Sequence, residues 1–297
     1  MSFFIEVVAG GLLAGVMYSL VALGFVLIYK ASGVFNFAQG SLVFFAALTF
    51  VSLTERGWNF WLALLATLIA MILVGMAIER TVLRPLVNQP PITLLMATIG
   101  LTFVLEGASQ LMWGSQPHGL ELGIPDVPIE WLSQKWNINI SQFDVFAAFV
   151  AGVLVAVLAL FFQKTRIGRA LRAVADDHQA ALAVGIPLQH IWAIVWAVAG
   201  FVALVAGMMW GVRNGVQYAL TFTALKALPV LILGGFESIA GAIVGGLIIG
   251  AGEKLAEVYL GPYVGGGIES WFAYVIALLF LLVRPEGLFG EKIIDRV

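Results

Sequence analysis

No cysteine occurs among the 297 residues, which excludes disulfides, thiolate metal sites and a thiol nucleophile. Charge is nearly as scarce: 11% of the residues are Asp, Glu, Lys or Arg, against about 25% in a soluble domain. So little charge cannot cover a water-facing surface. The three histidines, His118, His178 and His190, are too scattered in sequence for a metal site. No G-x-x-x-x-G-K-[ST] run is present, so the chain lacks a P-loop for ATP. No nucleophile–base pairing or acidic pair points to an enzyme. A net charge of −2 without a basic block gives no reason to expect nucleic acid. The chain does not open on a basic segment, short apolar core and small-residue cleavage site, so no cleaved signal peptide is expected.

What is abundant is apolar sequence: 61% of the residues, with a mean hydropathy of +1.02. A helix rises about 1.5 Å per residue, so about 20 apolar residues cross a hydrocarbon core of roughly 30 Å. Residues 7–29, 31–54, 57–78, 85–105, 145–163 and 190–212 contain no Asp, Glu, Lys or Arg. Three shorter runs follow, 221–236, 240–258 and 268–283, broken by Gly, Pro and single charges, with a discontinuity expected within 228–238 around Pro229, Gly234 and Gly235. The expected fold class is all-α, a polytopic membrane helix bundle of about nine transmembrane helices, eight to ten being compatible, in one domain over residues 1–297.

Basic residues set the orientation, because short cytoplasmic loops collect Lys and Arg. Nine alternating spans with the N-terminus outside and the C-terminus inside leave Lys30, Arg80, Arg84, Lys164, Arg166, Arg169, Arg172, Arg284, Lys292 and Arg296 in the cytoplasm. Only Arg56, Lys135 and Arg213 then lie outside, with Lys226 and Lys254 in or near spans. Loop 113–141 carries Trp113, Trp131 and Trp136, whose indoles favour the interface, and is placed on the outer surface. Loop 164–189 is basic, then acidic, and cytoplasmic.

Within that cytoplasmic loop one short helix is predicted through Arg169 to Ala175 and a second after Asp176. Asp176 and Gln179 form a capping-box-like pair for the second helix, and Gly185 with Pro187 is its stop signal. The element reads either as a solvated, headgroup-binding linker or as a compact docking element.

Polar residues inside apolar runs mark the rest of the candidate chemistry. Asn36 and Gln39, beside Gly33 and Gly40, suit a partly unwound start of the second helix with amides lining a pathway. A helix–helix hydrogen bond, worth about 0.6 kcal/mol, is the alternative. Glu106 falls inside the fourth span, where a carboxylate costs a few kcal/mol without a polar partner or water. It lines an outer vestibule, or it pairs with Arg213, Lys226 or another subunit. Glu6 and Glu253 are expected at the interface. With Phe37 and Thr98, the candidate pathway set is Asn36, Phe37, Gln39, Thr98 and Glu106. Glycines 11 and 15, 241 and 245, and 246 and 250 have the small-xxx-small spacing that lets helices approach closely.

Four stretches together resemble one family. They are Asn36-Phe37-Ala38-Gln39-Gly40, and Thr165-x-x-Gly168-x-Ala170-x-Arg172-Ala173 with Ala180-Ala181 and Gly185-Ile186. Next comes Leu233-Gly234-Gly235 with Ser238-Ile239-Ala240-Gly241 and Gly245-Gly246, and last Arg284-Pro285-Glu286-Gly287-Leu288-Phe289-Gly290. In this order they resemble the inner-membrane permease subunits of ABC importers for branched-chain amino acids, whose relatives import ribose-type sugars, urea and short amides. The resemblance implies a multi-pass pore subunit in a bacterial inner membrane with no cofactor of its own, ATP being held by separate subunits. It further implies a second, related permease subunit in a heterodimer, two cytoplasmic ATPase subunits and a periplasmic substrate-binding protein. It assigns the cytoplasmic loop to ATPase coupling, through Arg166, Gly168, Arg169, Arg172, Asp176, Ala181 and Gly185, with Ala181 in a groove of the ATPase. The implied cargo is a branched-chain or other hydrophobic amino acid, with urea, short amides, aromatic acids or sugars as alternatives. A secondary transporter or channel is the reading from another class; it needs an ion or selectivity site of its own, for which Glu106 is the lone support.

Overall fold

The computed structural model describes residues 2–33, 35–86, 89–176 and 178–290, the side chains of 178 and 179 excepted. The described residues contain no β-strand, only isolated antiparallel bridges joining His118 to Val216 and Pro128 to Ser141. Helices α1 (Ser2–Ser32), α2 (Gln39–Glu55), α3 (Phe60–Ile78) and α4 (Pro91–Trp113) come first. The short α5 (Glu130–Trp136) interrupts the loop before α6 (Gln142–Lys164). Two more short helices follow, α7 (Arg166–Asp176) and α8 (His178–Ala183), then α9 (Leu188–Asn214). The last third holds α10 (Leu220–Leu225), α11 (Ala227–Gly234), α12 (Ile239–Val264) and α13 (Phe272–Val283). Among the described residues, α1, α3 with its extension to Leu86, α4, α6, α9 and α12 are long and apolar enough to cross a membrane. Helix α2, the α10–α11 pair and α13 are apolar but shorter. The chain is a multi-pass membrane protein.

The structure corrects several predicted ends. The run 31–54 becomes helical as α2 only at Gln39, because α1 ends at Gly33, whose φ of +70° leaves the helical region. The Asn36 side chain then accepts from the Ala38 N–H at 3.1 Å, a local bond that competes with helix continuation. The run 85–105 starts instead at Pro91, in the first turn where a missing N–H costs nothing, and continues to Trp113. It follows a π turn, Glu79–Leu83, and a 3-10 turn, Arg84–Leu86. The run 221–236 splits at Lys226 into α10 and α11. Pro229 does not break α11, since it sits in its first turn; the break falls at Gly235, and Ser238 caps α12 by accepting from the Gly241 N–H at 2.9 Å. Lys292 and Arg296 of the charge distribution, and the Gln179 side chain of the expected capping pair, lie outside the described residues.

The chain divides into two compact units. One comprises Met1–Leu23, Glu121–Ala156 and Lys226–Val297. In it the predicted glycine spacings meet: Gly11 of α1 faces Gly250 of α12, and Gly15 faces Gly246. The close approach brings the Ile243 carbonyl within 3.3 Å of the Ser19 hydroxyl, whose proton also reaches the Gly15 carbonyl at 2.9 Å, and lets the Tyr18 hydroxyl donate to Glu253 at 3.0 Å. Glu253, expected at the interface, is therefore buried at 2% exposure, with a hydroxyl from α1 as its partner. Lys254 and Lys226 both pair with Glu269, at 2.9 and 3.9 Å. Helix α11 packs on α12 and α13, and the Arg284–Gly290 motif folds back onto its end. There the Leu288 and Phe289 N–H groups donate to the carbonyls of Leu233 and Gly234, at 2.8 and 3.1 Å, so the C-terminal and glycine-rich motifs are one structural joint. Exposed Trp131 and Trp136 flank α5, with the Lys135 ammonium over both rings.

The other unit comprises Gly24–Leu120 and Val157–Leu225. Helix α2 is its centre: every residue from Gln39 to Ser52 is buried against α3, α4, α9 and α10. A helix of 17 residues spans about 26 Å, short of the hydrocarbon thickness, which costs nothing when protein encloses it. Helices α3 and α4 turn Leu65, Ile69, Leu73, Val104 and Leu111 outward, an apolar surface suited to lipid.

Candidate functional site

The unwound segment between α1 and α2 gathers most of the polar residues singled out in the sequence. Asn36 and Gln39 are fully buried; the Asn36 amide nitrogen and both polar atoms of the Gln39 amide have no hydrogen-bond partner. Buried amides of this kind cost roughly 1–3 kcal/mol each. Phe35 stacks on Phe25 with ring centroids 4.8 Å apart, and Phe37 meets Phe35 edge-on at 4.8 Å. Thr98 of α4 closes on this segment. Its hydroxyl accepts from the Phe37 N–H at 3.4 Å and has two carbonyls in reach of its one proton, Leu95 of α4 at 2.9 Å and Phe35 at 3.3 Å, so it touches the backbone on both sides of Asn36.

Thr98, Thr102 and Glu106 follow one another at four-residue spacing along α4, so they share a face. Glu106 is 6% exposed and accepts from the Ser41 hydroxyl at 3.0 Å and the Tyr218 hydroxyl at 3.3 Å. Lys226, one of its expected partners, pairs with Glu269 instead. Beside Glu106 lies a cavity of about 180 Å³ whose walls include Phe37, Ile99, Phe103, Tyr218 and Phe222. Of the five candidate pathway residues, Phe37 and Glu106 line this cavity and Thr98 contacts the unwound segment, whereas Asn36 and Gln39 are fully buried and are not part of its wall. Sequence reading missed Ser41, Tyr218 and Thr221. Ser41 carried one signal, a hydroxyl next to Gly40 in an apolar run; nothing local marks the other two.

The second constellation is the α7–α8 element. One face of α7, Gly168, Leu171 and Val174, is buried. A Cβ at Gly168 would collide with the Phe162 carbonyl, so only glycine lets α7 lie this close to the end of α6. The Thr165 hydroxyl accepts from the Gly168 N–H at 3.2 Å, an N-terminal cap. Arg172 donates to the Phe162 carbonyl at 2.7 Å, and Arg169 to the Lys164 carbonyl at 3.4 Å, satisfying carbonyls that α6 leaves open. Arg172 is thereby committed within the chain, whereas Arg166, Arg169 and Asp176 are exposed. Ala181, expected in the groove of a partner, is 2% exposed and packs within this chain. The outward residues are Leu182, 54% exposed, and Val184, 75% exposed, just before Gly185 turns the chain at φ +83°. Leu188 and Trp192 carry α9 away from this turn, and the Trp192 indole N–H donates to the Ala31 carbonyl at 2.9 Å. One rigid helix therefore links the exposed tip to the last residues of α1, immediately before the unwound segment. A cavity of about 390 Å³ lies beside the link, bounded by the buried Glu79, the Arg84 it pairs with at 3.2 Å, and Leu182, Leu188 and Trp192.

The family described as branched-chain amino acid transport system / permease component matches residues 7–284. The chain belongs to this family. Among similar proteins, the high-affinity branched-chain amino acid transport system permease protein LivH of Salmonella typhimurium (strain LT2) is 29% identical over 99% of this chain and 98% of its own. The permease protein BraD of Pseudomonas aeruginosa is also 29% identical, over the same shares. A fructose import permease protein, FruF of Bifidobacterium longum, is 25% identical over 91% of this chain and 75% of its own. The solved structure of PsaBC from Streptococcus pneumoniae in complex with Fab superposes with a TM-score of 0.51 at 12% identity, covering 95% of this chain and 93% of that one; it speaks for the fold alone. The permease is thus a transport component and not an enzyme, and the resemblance drawn from its four motifs holds over nearly its whole length.

Proposed function

We propose that the permease is one half of the translocation pore of a binding-protein-dependent ABC importer in a bacterial inner membrane, carrying branched-chain or other hydrophobic amino acids. The observation that carries this reading is the α7–α8 element, with an exposed apolar tip at Leu182 and Val184 and a link through Trp192 to the last turn of α1, just before the unwound segment. A soluble ATPase supplies work, the tip receives it, and α9 passes it to the segment that holds Asn36, Phe37 and Gln39. Cargo follows the wall formed by these residues, Thr98 and Glu106. ATP stays on two cytoplasmic subunits, a periplasmic protein delivers the cargo, and a second, related permease completes the pore as a heterodimer. The names of LivH and BraD support the amino-acid cargo; FruF is a relative whose name speaks for a sugar.

The reading requires nine spans with the N-terminus outside, so that the α7–α8 tip is cytoplasmic and loop 113–141 external. The absence of cysteine gives a clean background for testing it. Single cysteines replace Gln116 and Val184, both exposed, in cells with a permeabilised outer membrane. An impermeant thiol reagent should label position 116 and leave position 184 unlabelled until the inner membrane is opened. Labelling of 184 but not 116 in intact cells puts the tip out of reach of any cytoplasmic ATPase and ends the proposal.

A further inference from the structure

The cavity beside Glu106 pairs one carboxylate with apolar walls, and no lysine or arginine is among the described residues that line it. Each carboxylate oxygen takes one hydroxyl bond, from Ser41 or Tyr218. A carboxylate offers about four acceptor positions, so roughly half of this capacity stays open. A second polar atom on the same wall is unused: the Thr221 hydroxyl is buried and has no hydrogen-bond partner. Phe37, Ile99, Phe103, Phe222 and Leu225 form the rest of the wall. The volume of about 180 Å³ is close to that of an engineered apolar cavity of roughly 150 Å³ that takes up benzene, the scale of a small organic molecule.

We propose that this cavity is a binding subsite for a small primary ammonium bearing an aliphatic tail. The ammonium donates to Glu106, the Thr221 hydroxyl meets the polar atoms next to it, and the hydrocarbon lies on Phe37, Ile99 and Phe222. The charge chemistry is selective. An anion would be buried against Glu106 with no cation to offset it, and a neutral polyol would find apolar walls where its hydroxyls need partners. An aliphatic amino acid brings the same ammonium and tail but adds a carboxylate for which the described lining offers no cation, so isoamylamine is the stronger ligand and leucine the weaker one. The place of an amino acid there as cargo rests on the importer reading of the permease.

The test uses the purified full chain in nanodiscs and needs no binding protein. Its probes are isoamylamine, leucine and 4-methylpentanoate, which share one branched tail and differ in charge. Saturation-transfer NMR should show isoamylamine and leucine displacing one another and 4-methylpentanoate displacing neither. Glu106→Gln should weaken isoamylamine by about tenfold or more, while Glu106→Asp, which keeps the charge, retains it within a few-fold. Should Glu106→Gln fail to fold, the three probes on the wild-type chain decide the matter. Equal binding of the carboxylate, equal binding to a folded Glu106→Gln, or no amine binding because lipid fills the cavity would overturn the proposal. The importer reading fails separately, if the full wild-type assembly takes up no amino acid even though isoamylamine binds at Glu106.

Discussion

Replacing Gly15 by valine should reduce the folded permease in the membrane to about a tenth of the wild-type amount or less. A Cβ built on Gly15 lies 2.5 Å from the Gly246 carbonyl oxygen and 3.0 Å from the Leu247 Cα, distances that real side chains do not adopt against backbone. The obstacle is helix α12 itself, which cannot rotate a rotamer out of the way. Relief requires α1 and α12 to separate. That loosens the Gly11–Gly250 approach and the Tyr18–Glu253 and Ser19–Ile243 hydrogen bonds together. Overpacking typically costs 1–3 kcal/mol and occasionally more; between membrane helices, where close packing is itself the driving force, the upper end applies. Total stability is only about 5–15 kcal/mol, so such a loss changes abundance. Gly10→Val is the matched control, because a Cβ there meets nothing within 4 Å. Fluorescence-detected gel filtration of tagged variants should show Gly10→Val near wild type and Gly15→Val nearly absent. Equal peaks would mean that the α1–α12 seam does not hold this unit together.

The second large effect concerns docking. Leu182→Glu combined with Val184→Glu should leave folding and membrane insertion unchanged and cut ATPase co-purification to about a tenth or less. Both side chains are largely exposed, at 54% and 75%, so the permease alone loses little when they become charged. Seating the doubly substituted tip in a groove of the ATPase would bury two unpaired carboxylates, each at a cost of several kcal/mol, more than enough for a roughly tenfold loss of affinity. Arg169→Glu should have a smaller effect, because an exposed charge contributes mainly to encounter and salt dependence. Normal assembly of the double variant would leave α7–α8 as a membrane-surface linker.

The contrast between Ala181 and its neighbours shows where sequence reading stopped. The Arg-rich start, Gly168, Gly185 and Pro187 announce a short helical element, and the structure contains it as α7 and α8. Which side of α8 turns outward depends on packing within this chain, and alanine carries no hydropathic label for that choice. The same holds for α2. Its charge-free run begins at residue 31, and Gly33 at φ +70° together with the bond between Asn36 and the Ala38 N–H delays the helix to Gln39. Glycine spacing, by contrast, translated directly, because the i, i+4 rows of α1 and α12 form backbone-to-backbone contacts that few other residues permit. The partners of Glu106 were illegible for a different reason. Ser41 and Tyr218 lie 65 and 112 residues away in sequence, and a hydroxyl in an apolar run carries no periodic signal.

The importer assignment is tested most directly by uptake in liposomes rebuilt from purified parts. They contain the permease, the partner permease that the importer reading proposes and the ATPase, with ATP enclosed and the binding protein outside. Radiolabelled leucine should accumulate inside only when ATP and the binding protein are both present, and omitting this permease should abolish accumulation. Leucine uptake that persists without ATP, or driven by an ion gradient in liposomes holding this chain alone, would contradict the account.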